Sequence, residues 1–213
     1  MELKGLKINI LGDSITEGVG VSEISKRYAS VFEELSGAKV NNYGIGGTRI
    51  ARQHKPSTKP RHDLCFLDRA SEMEEGADVI IVFGGTNDFG HGDAAFGCFT
   101  DRDEYTFYGA MHSLVLRLKR RFPDAELVFM TPLHRATEDV PKADSGKVLK
   151  DYVDAMREVL EYYAIPTLDL YSVSGIQPRT EDDLDGMTVD GLHPNDRGAR
   201  RIAERLYGFL KAL

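Results

Sequence analysis

The sequence predicts an α/β fold, a three-layer α/β/α sandwich built on a five-stranded parallel sheet. Three observations predict it. Five short apolar runs recur along the chain: "LKINIL" (6–11), "KVNNYG" (39–44), "DVIIVFGG" (78–85), "ELVFMTP" (126–132) and "IPTLDL" (165–170). Runs of this length, rich in branched residues, read as buried strands. The stretches between them repeat apolar residues at helical spacing. Strands that alternate with helices pair in parallel, because a parallel neighbour needs a crossover long enough to hold a helix, and such crossovers cover both faces of the sheet.

Taken in order, the first run leads into "LGDSITEG" (11–18), where the chain must turn and Ser14 stands alone. Ser14 is either a helix cap, its oxygen accepting from first-turn amides, or a reactive hydroxyl. The helix predicted over "SKRYASVFEELSG" (25–37) puts Tyr28, Val31, Phe32 and Leu35 on one face and stops at Gly37. The second run ends in "NYGIGGT" (42–48) and the third in "GGTND" (84–88). The helix over "TFYGAMHSLVLRLKRRFP" (106–123) repeats Tyr108, Met111, Leu114, Val115 and Leu118 before Pro123. The fourth run precedes the helical "VLKDYVDAMREVLEYY" (148–163). After the fifth comes "VDGLHPND" (189–196), then a last helix over 195–213 with Asn195 placed to cap it. The longest stretches without periodicity are 48–64 and 86–104. Ligands of open α/β sheets bind beyond the carboxyl ends of the strands, so the loops after the runs are where chemistry is expected.

With 213 residues, 41% hydrophobic and 29% charged, the chain has an ordinary globular composition, and one domain over 1–213 is expected. The net charge is −7 and the 27 Lys and Arg are dispersed, which argues against a nucleic-acid partner. Lys119-Arg120-Arg121 and Arg197–Arg201 read as solvated helix faces. Cys65 and Cys98 form neither a disulfide framework nor a zinc or redox spacing, and reduced thiols are expected. "MELKGLKINIL" has no signal-peptide pattern, and no apolar stretch is long enough to span a bilayer. A cytoplasmic location is the expectation, and no cofactor or metal is called for.

Four loop motifs carry chemistry. Ser14 needs a base to become a nucleophile. Gly44, Gly46 and Gly47 allow a sharp turn that presents an amide to an anion with no Cβ in the way, or simply a tight turn. Asn87 in "GGTND" is a side-chain donor at the same sheet edge, or a turn residue. Asp190 and His193, three apart, can act as a base and its orienting carboxylate, or as a turn aspartate and a surface histidine. The four motifs follow different segments, yet the proposed sheet brings all of them to one edge.

In these blocks the sequence resembles the SGNH hydrolases, the GDSL-type esterases and lipases. "GDSITEG", "NYGIGG", "GGTND" and "DGLHPN" look like the family's four blocks, in its order and across essentially the whole chain. The resemblance implies the flavodoxin-like SGNH hydrolase fold, with Ser14 as nucleophile, His193 as general base and Asp190 orienting the histidine. It also implies an oxyanion hole of the Ser14 and Gly47 amides and the Asn87 side chain. Gly47 is preferred to Gly46 because it closes the N-x-G-x-x-G pattern begun by Asn42. Ile15 replaces the usual leucine, and the absence of G-x-S-x-G argues against an α/β-hydrolase elbow.

The substrate implied is a small ester, with short acyl groups such as carbohydrate O-acetyl esters favoured. A lysophospholipase- or thioesterase-type lipase of the same family is the alternative. A silent carbohydrate-binding module on this fold is a third reading, and a metal-dependent hydrolase using His54, His91, Asp93 or His134 a fourth; none of these four residues shows H-x-x-x-H or H-E-x-x-H spacing. Phe89, Phe96, Phe99, Tyr105, Phe107 and Tyr108 either line an acyl pocket, stack on a sugar or belong to the core. Whether His134 and Arg135 touch substrate is left open, as is the oligomeric state.

Overall fold

The computed structural model describes residues 1–178 and 186–213. Its five strands are β1 (Lys7–Gly12), β2 (Lys39–Gly44), β3 (Val79–Phe83), β4 (Glu126–Met130) and β5 (Thr167–Leu168). They form one parallel sheet in the order β2-β1-β3-β4-β5. Gly12 pairs with both Gly44 and Phe83, so the first three strands end side by side. The inner strand β3, VIIVF, is buried throughout, as a parallel strand covered on both faces must be. The edge strand β2 is mostly half-buried and carries the polar pair Asn41–Asn42.

The helices are α1 (Ser14–Glu17), α2 (Tyr28–Ser36), α3 (Phe66–Arg69), α4 (Thr86–His91), α5 (Phe107–Arg121), α6 (Leu149–Tyr162), α7 (Leu170–Val173) and α8 (Asp196–Ala212). Alternate residues of each strand face opposite layers. Ile8, Ile10, Ile81, Val128 and Met130 meet Phe32 of α2 and Ile202 and Leu206 of α8. Leu11, Ile80, Val82 and Phe129 meet Leu114 of α5 and Met156 of α6. Two cores on two faces make the three layers.

Three expectations shift. The fifth run gives only two strand residues. Pro166 offers a carbonyl to Phe129 N (3.1 Å) but has no amide, and the Asp169 side chain turns aside to take the Thr131 hydroxyl (2.9 Å) and Arg157 (2.7 Å). The stretch 86–104 opens with α4, a helix too short for periodicity to show. In α2 the inward position of the last turn is taken by Ser36, whose oxygen accepts the Ala38 amide (3.2 Å), and Leu35 is 37% exposed.

The aromatics of 89–108 mostly belong to the core. Phe89 and Phe107 are buried, Phe96, Phe99 and Tyr108 are partly buried against the same core cluster, and Tyr105 is exposed with His54 stacked on its ring at 4.8 Å. Cys65 and Cys98 are free thiols, and among the described residues no helix is long and apolar enough to cross a membrane.

Candidate active site

The loops that follow β1, β2 and β3 meet the segment before α8 at the carboxyl edge of the sheet. The turn after β1 is tight: a Cβ on Gly12 would collide with the Thr16 side chain. Asp13 is the cap of α1 and accepts the Ile15 amide at 3.0 Å. Ser14 is therefore the first helical residue and not the cap, and its Oγ lies 3.0 Å from Nε2 of His193.

On its other side His193 places Nδ1 2.7 Å from Oδ2 of Asp190. Oδ1 of Asp190 accepts the backbone amides of His193 (2.7 Å) and Leu192 (3.0 Å). Burial tends to raise the Asp190 pKa, but the bonds from His193 and Leu192 outweigh it and hold the carboxyl below its ordinary value. An ionised carboxylate only accepts, so the imidazole proton sits on Nδ1 and the Nε2 lone pair faces the Ser14 hydroxyl. Gly191 makes this turn possible. It has φ +76°, a Cβ there would lie 2.7 Å from Ala136, and its carbonyl accepts the Ala136 amide (2.8 Å), tying the turn to the loop after β4.

The glycine loop runs alongside. A Cβ on Gly46 would sit 3.4 Å from Cβ of Ser14. The Gly46 amide donates to Oε2 of Glu17 (2.7 Å), whereas among the described residues no acceptor takes the Gly47 amide. Gly47 has φ +78°, and the His62 ring fills the space a Cβ would need. Asn87, 5% exposed in the first turn of α4, donates Nδ2 to the Thr48 carbonyl (3.0 Å), so its amide plane is fixed and one N–H remains. Asp88 clamps the same loop by accepting from Ile50 (3.0 Å) and Ala51 (2.9 Å).

Sequence reasoning passed over Asp88, Glu17 and Arg69. Buried Arg69 donates to Thr48 Oγ1 (2.9 Å), Gly12 O (3.1 Å) and Tyr43 O, knitting the loops after β1 and β2 together. Its only signal was an arginine inside the apolar "CFLDRA". The polar residues considered for metal are scattered: Asp93 accepts the His54 and Lys55 amides (both 2.8 Å), His91 Nδ1 takes Arg49 (3.1 Å), and His134 pairs with Glu138 (2.8 Å). Among the described residues no three His, Cys, Asp or Glu are grouped to hold a metal ion.

The capping carboxyl has a measurable cost. Burial pushes Asp13 up to about 6, against about 3.9 in an unfolded chain, while the Ile15 amide and His193 pull it down. Between these values the folded chain holds the extra proton, so this carboxyl's contribution to stability falls as pH rises from 4 to 6, and the full cost, about 2–3 kcal/mol, applies above 6. Asp13→Asn keeps an acceptor for Ile15 and carries no charge. Its melting temperature should exceed that of the wild type by several degrees at pH 8, by about half as much at pH 5, and should match it only below pH 4. A melt at pH 8 that is no higher than wild type would contradict the cost.

A hydroxyl bonded to an imidazole that is itself held by a carboxylate can pass a proton and expose an alkoxide-like oxygen, and uncommitted donors nearby can receive negative charge. Known proteins resemble the chain as a whole. The model of the GDSL-like Lipase/Acylhydrolase family matches residues 10–201. An acetylxylan esterase of Xylanibacter ruminicola is 21% identical over 97% of this chain, which spans 43% of that protein's length. The structure of a protein from Lactobacillus plantarum is 29% identical with a TM-score of 0.83, covering 99% of this chain and 98% of that one. A member of the lipolytic G-D-S-L family from Veillonella parvula, 16% identical, shares the fold with a TM-score of 0.66 over 97% and 99% of the two chains.

Proposed function

The chain belongs to the GDSL-like lipase/acylhydrolase family and is a carboxylic ester hydrolase, and from that premise we propose that Ser14, His193 and Asp190 form its catalytic triad and act on short-chain acyl esters of carbohydrates. The observation that carries the roles is the unbroken contact from Ser14 Oγ to His193 Nε2 (3.0 Å) and from Nδ1 to Asp190 (2.7 Å).

Ser14 Oγ attacks the ester carbonyl as its proton passes to Nε2, and the carbonyl π electrons move onto oxygen. The amides of Ser14 and Gly47 and the remaining N–H of Asn87 receive that charge. When the intermediate collapses, the imidazolium returns its proton to the departing alcohol and leaves an acyl-Ser14. Water, deprotonated by His193, then releases the acid. Asp190 stays ionised and holds the ring through both steps.

A short acyl group on a sugar is supported by the polar surroundings of Ser14, where His62 covers Gly47 and Arg61 pairs with Glu17 at 2.7 Å, and by the burial of nearby aromatics into the core. The likeness to an acetylxylan esterase points the same way. Hydrolysis of p-nitrophenyl esters from two to twelve acyl carbons, run beside acetylated xylo-oligosaccharides, tests it. We expect kcat/KM to be highest for acetyl and to fall steadily beyond butyryl. A maximum at eight carbons or longer would replace this reading with the lipase one.

A further inference from the structure

One cationic side chain at the rim of this site has no part in the chemistry above. Arg135 lies on the loop after β4. Its Nη1 donates to the Thr86 carbonyl (3.2 Å) and hydroxyl (3.3 Å), immediately before Asn87, and its guanidinium lies over the Phe89 ring at 5.5 Å. A Cβ on Gly90 would stand 2.7 Å from Nη1. The next residue, Ala136, bonds to Gly191 (2.8 Å), between Asp190 and His193. Arg135 thus fills the gap between the Asn87 helix and the Asp190–His193 turn.

Its bonding is incomplete. Nε is buried with no acceptor in hydrogen-bond reach. The same holds for Nε of Arg49 and Arg121, but those arginines have carboxylates, Asp63 at 2.8 Å and Glu75 at 3.5 Å. Among the described residues no carboxylate is paired with the Arg135 guanidinium. The nearby acids have other bonds: Asp190 takes His193 and Leu192, Asp13 takes Ile15, and Glu138 takes the main-chain amide of Arg135 (2.9 Å) and His134. A guanidinium has five donors in a planar fork that matches a carboxylate, and two long bonds to Thr86 leave most of them unused. Burial lowers the Arg135 pKa and Asp190 opposes this, yet an arginine stays charged at neutral pH.

We propose that Arg135 is a subsite for an anionic group on the ester substrate, a carboxylate on either its acyl or its alcohol portion. The proposal rests on Ser14 as the nucleophile next to which the ester is held.

Two ester pairs separate the sources: phenyl pentanoate against monophenyl glutarate for an acyl carboxylate, and 3-methylphenyl acetate against 3-acetoxybenzoate for one on the alcohol. The anionic-to-neutral ratio of kcat/KM should exceed one for at least one pair in the wild type. A charge-assisted contact predicts that this ratio falls about tenfold in Arg135→Gln and less in Arg135→Lys. In 0.5 M NaCl the wild-type ratio should also fall, a measurement that needs no variant. A wild-type ratio at or below one for both pairs, a ratio indifferent to salt, or an unchanged ratio in a normally melting Arg135→Gln would overturn the subsite. Failure of the wild type to hydrolyse any of the four esters, with Ser14 unlabelled by a phosphonate, would instead overturn the esterase roles and the subsite with them.

Discussion

Ser14→Ala is expected to lower kcat by about 10⁴-fold or more while leaving the fold and its melting temperature nearly unchanged. The size of the effect follows from the route, since without Oγ no acyl-enzyme forms and only oriented water remains. The small effect on stability follows from the contacts. The cap of α1 is Asp13, and among the described residues the Ser14 hydroxyl is bonded to His193 and to no carbonyl or amide. Alanine also suits the first turn of a helix. Steady-state rates, a melting curve and mass spectrometry after exposure to a serine-directed phosphonate should be taken on one preparation. The wild type should gain one phosphonyl group at Ser14 and the variant none. Turnover within tenfold of wild type in the alanine variant would remove Ser14 from the chemistry.

Much of this was legible because short-range chemistry dominates it. Branched apolar runs such as "VIIVF" have few alternatives to a buried strand, and their alternation with helices fixes parallel pairing. Asp190 and His193 were readable as a pair because three residues and a glycine suffice to bring them into contact. The misses share a different cause. β5 shrank to two residues because Asp169 bonds to Thr131 and Arg157, partners 38 and 12 residues away. Arg69 bonds to carbonyl oxygens at the ends of β1 and β2 and to a hydroxyl in the loop after β2, and Asp88 to amides nearly forty residues earlier. Side chains that join distant loops have no local periodicity. The choice of Gly47 over Gly46 rested on motif spacing; in the structure Glu17 occupies the Gly46 amide.

Asn87→Ala is expected to lower kcat by about 10²–10³-fold, or roughly 3–4 kcal/mol of transition-state stabilisation, with little change in KM. The split follows from where the charge lies, because a neutral ester carbonyl gains little from the donor and the tetrahedral oxyanion gains much. The variant also loses the bond from Nδ2 to Thr48, the residue after Gly47, which should cost about 1–2 kcal/mol of stability. These two consequences can be separated. Asp88 still clamps Ile50 and Ala51, and Arg69 still holds Thr48, so the glycine loop should keep its place and the protein should stay folded at assay temperature. Asn87→Ser provides the control, since a hydroxyl on a shorter side chain can donate to Thr48 or to the oxyanion but not to both. It should recover part of the stability while kcat stays low. Phosphonate labelling of Ser14 should survive Asn87→Ala better than turnover does, because the inhibitor brings its own reactive phosphorus and one labelling event suffices. If kcat per folded molecule instead remained near wild type while the melting temperature dropped, Asn87 would serve only to hold Thr48, and the charge on the intermediate would rest on the Ser14 and Gly47 amides alone.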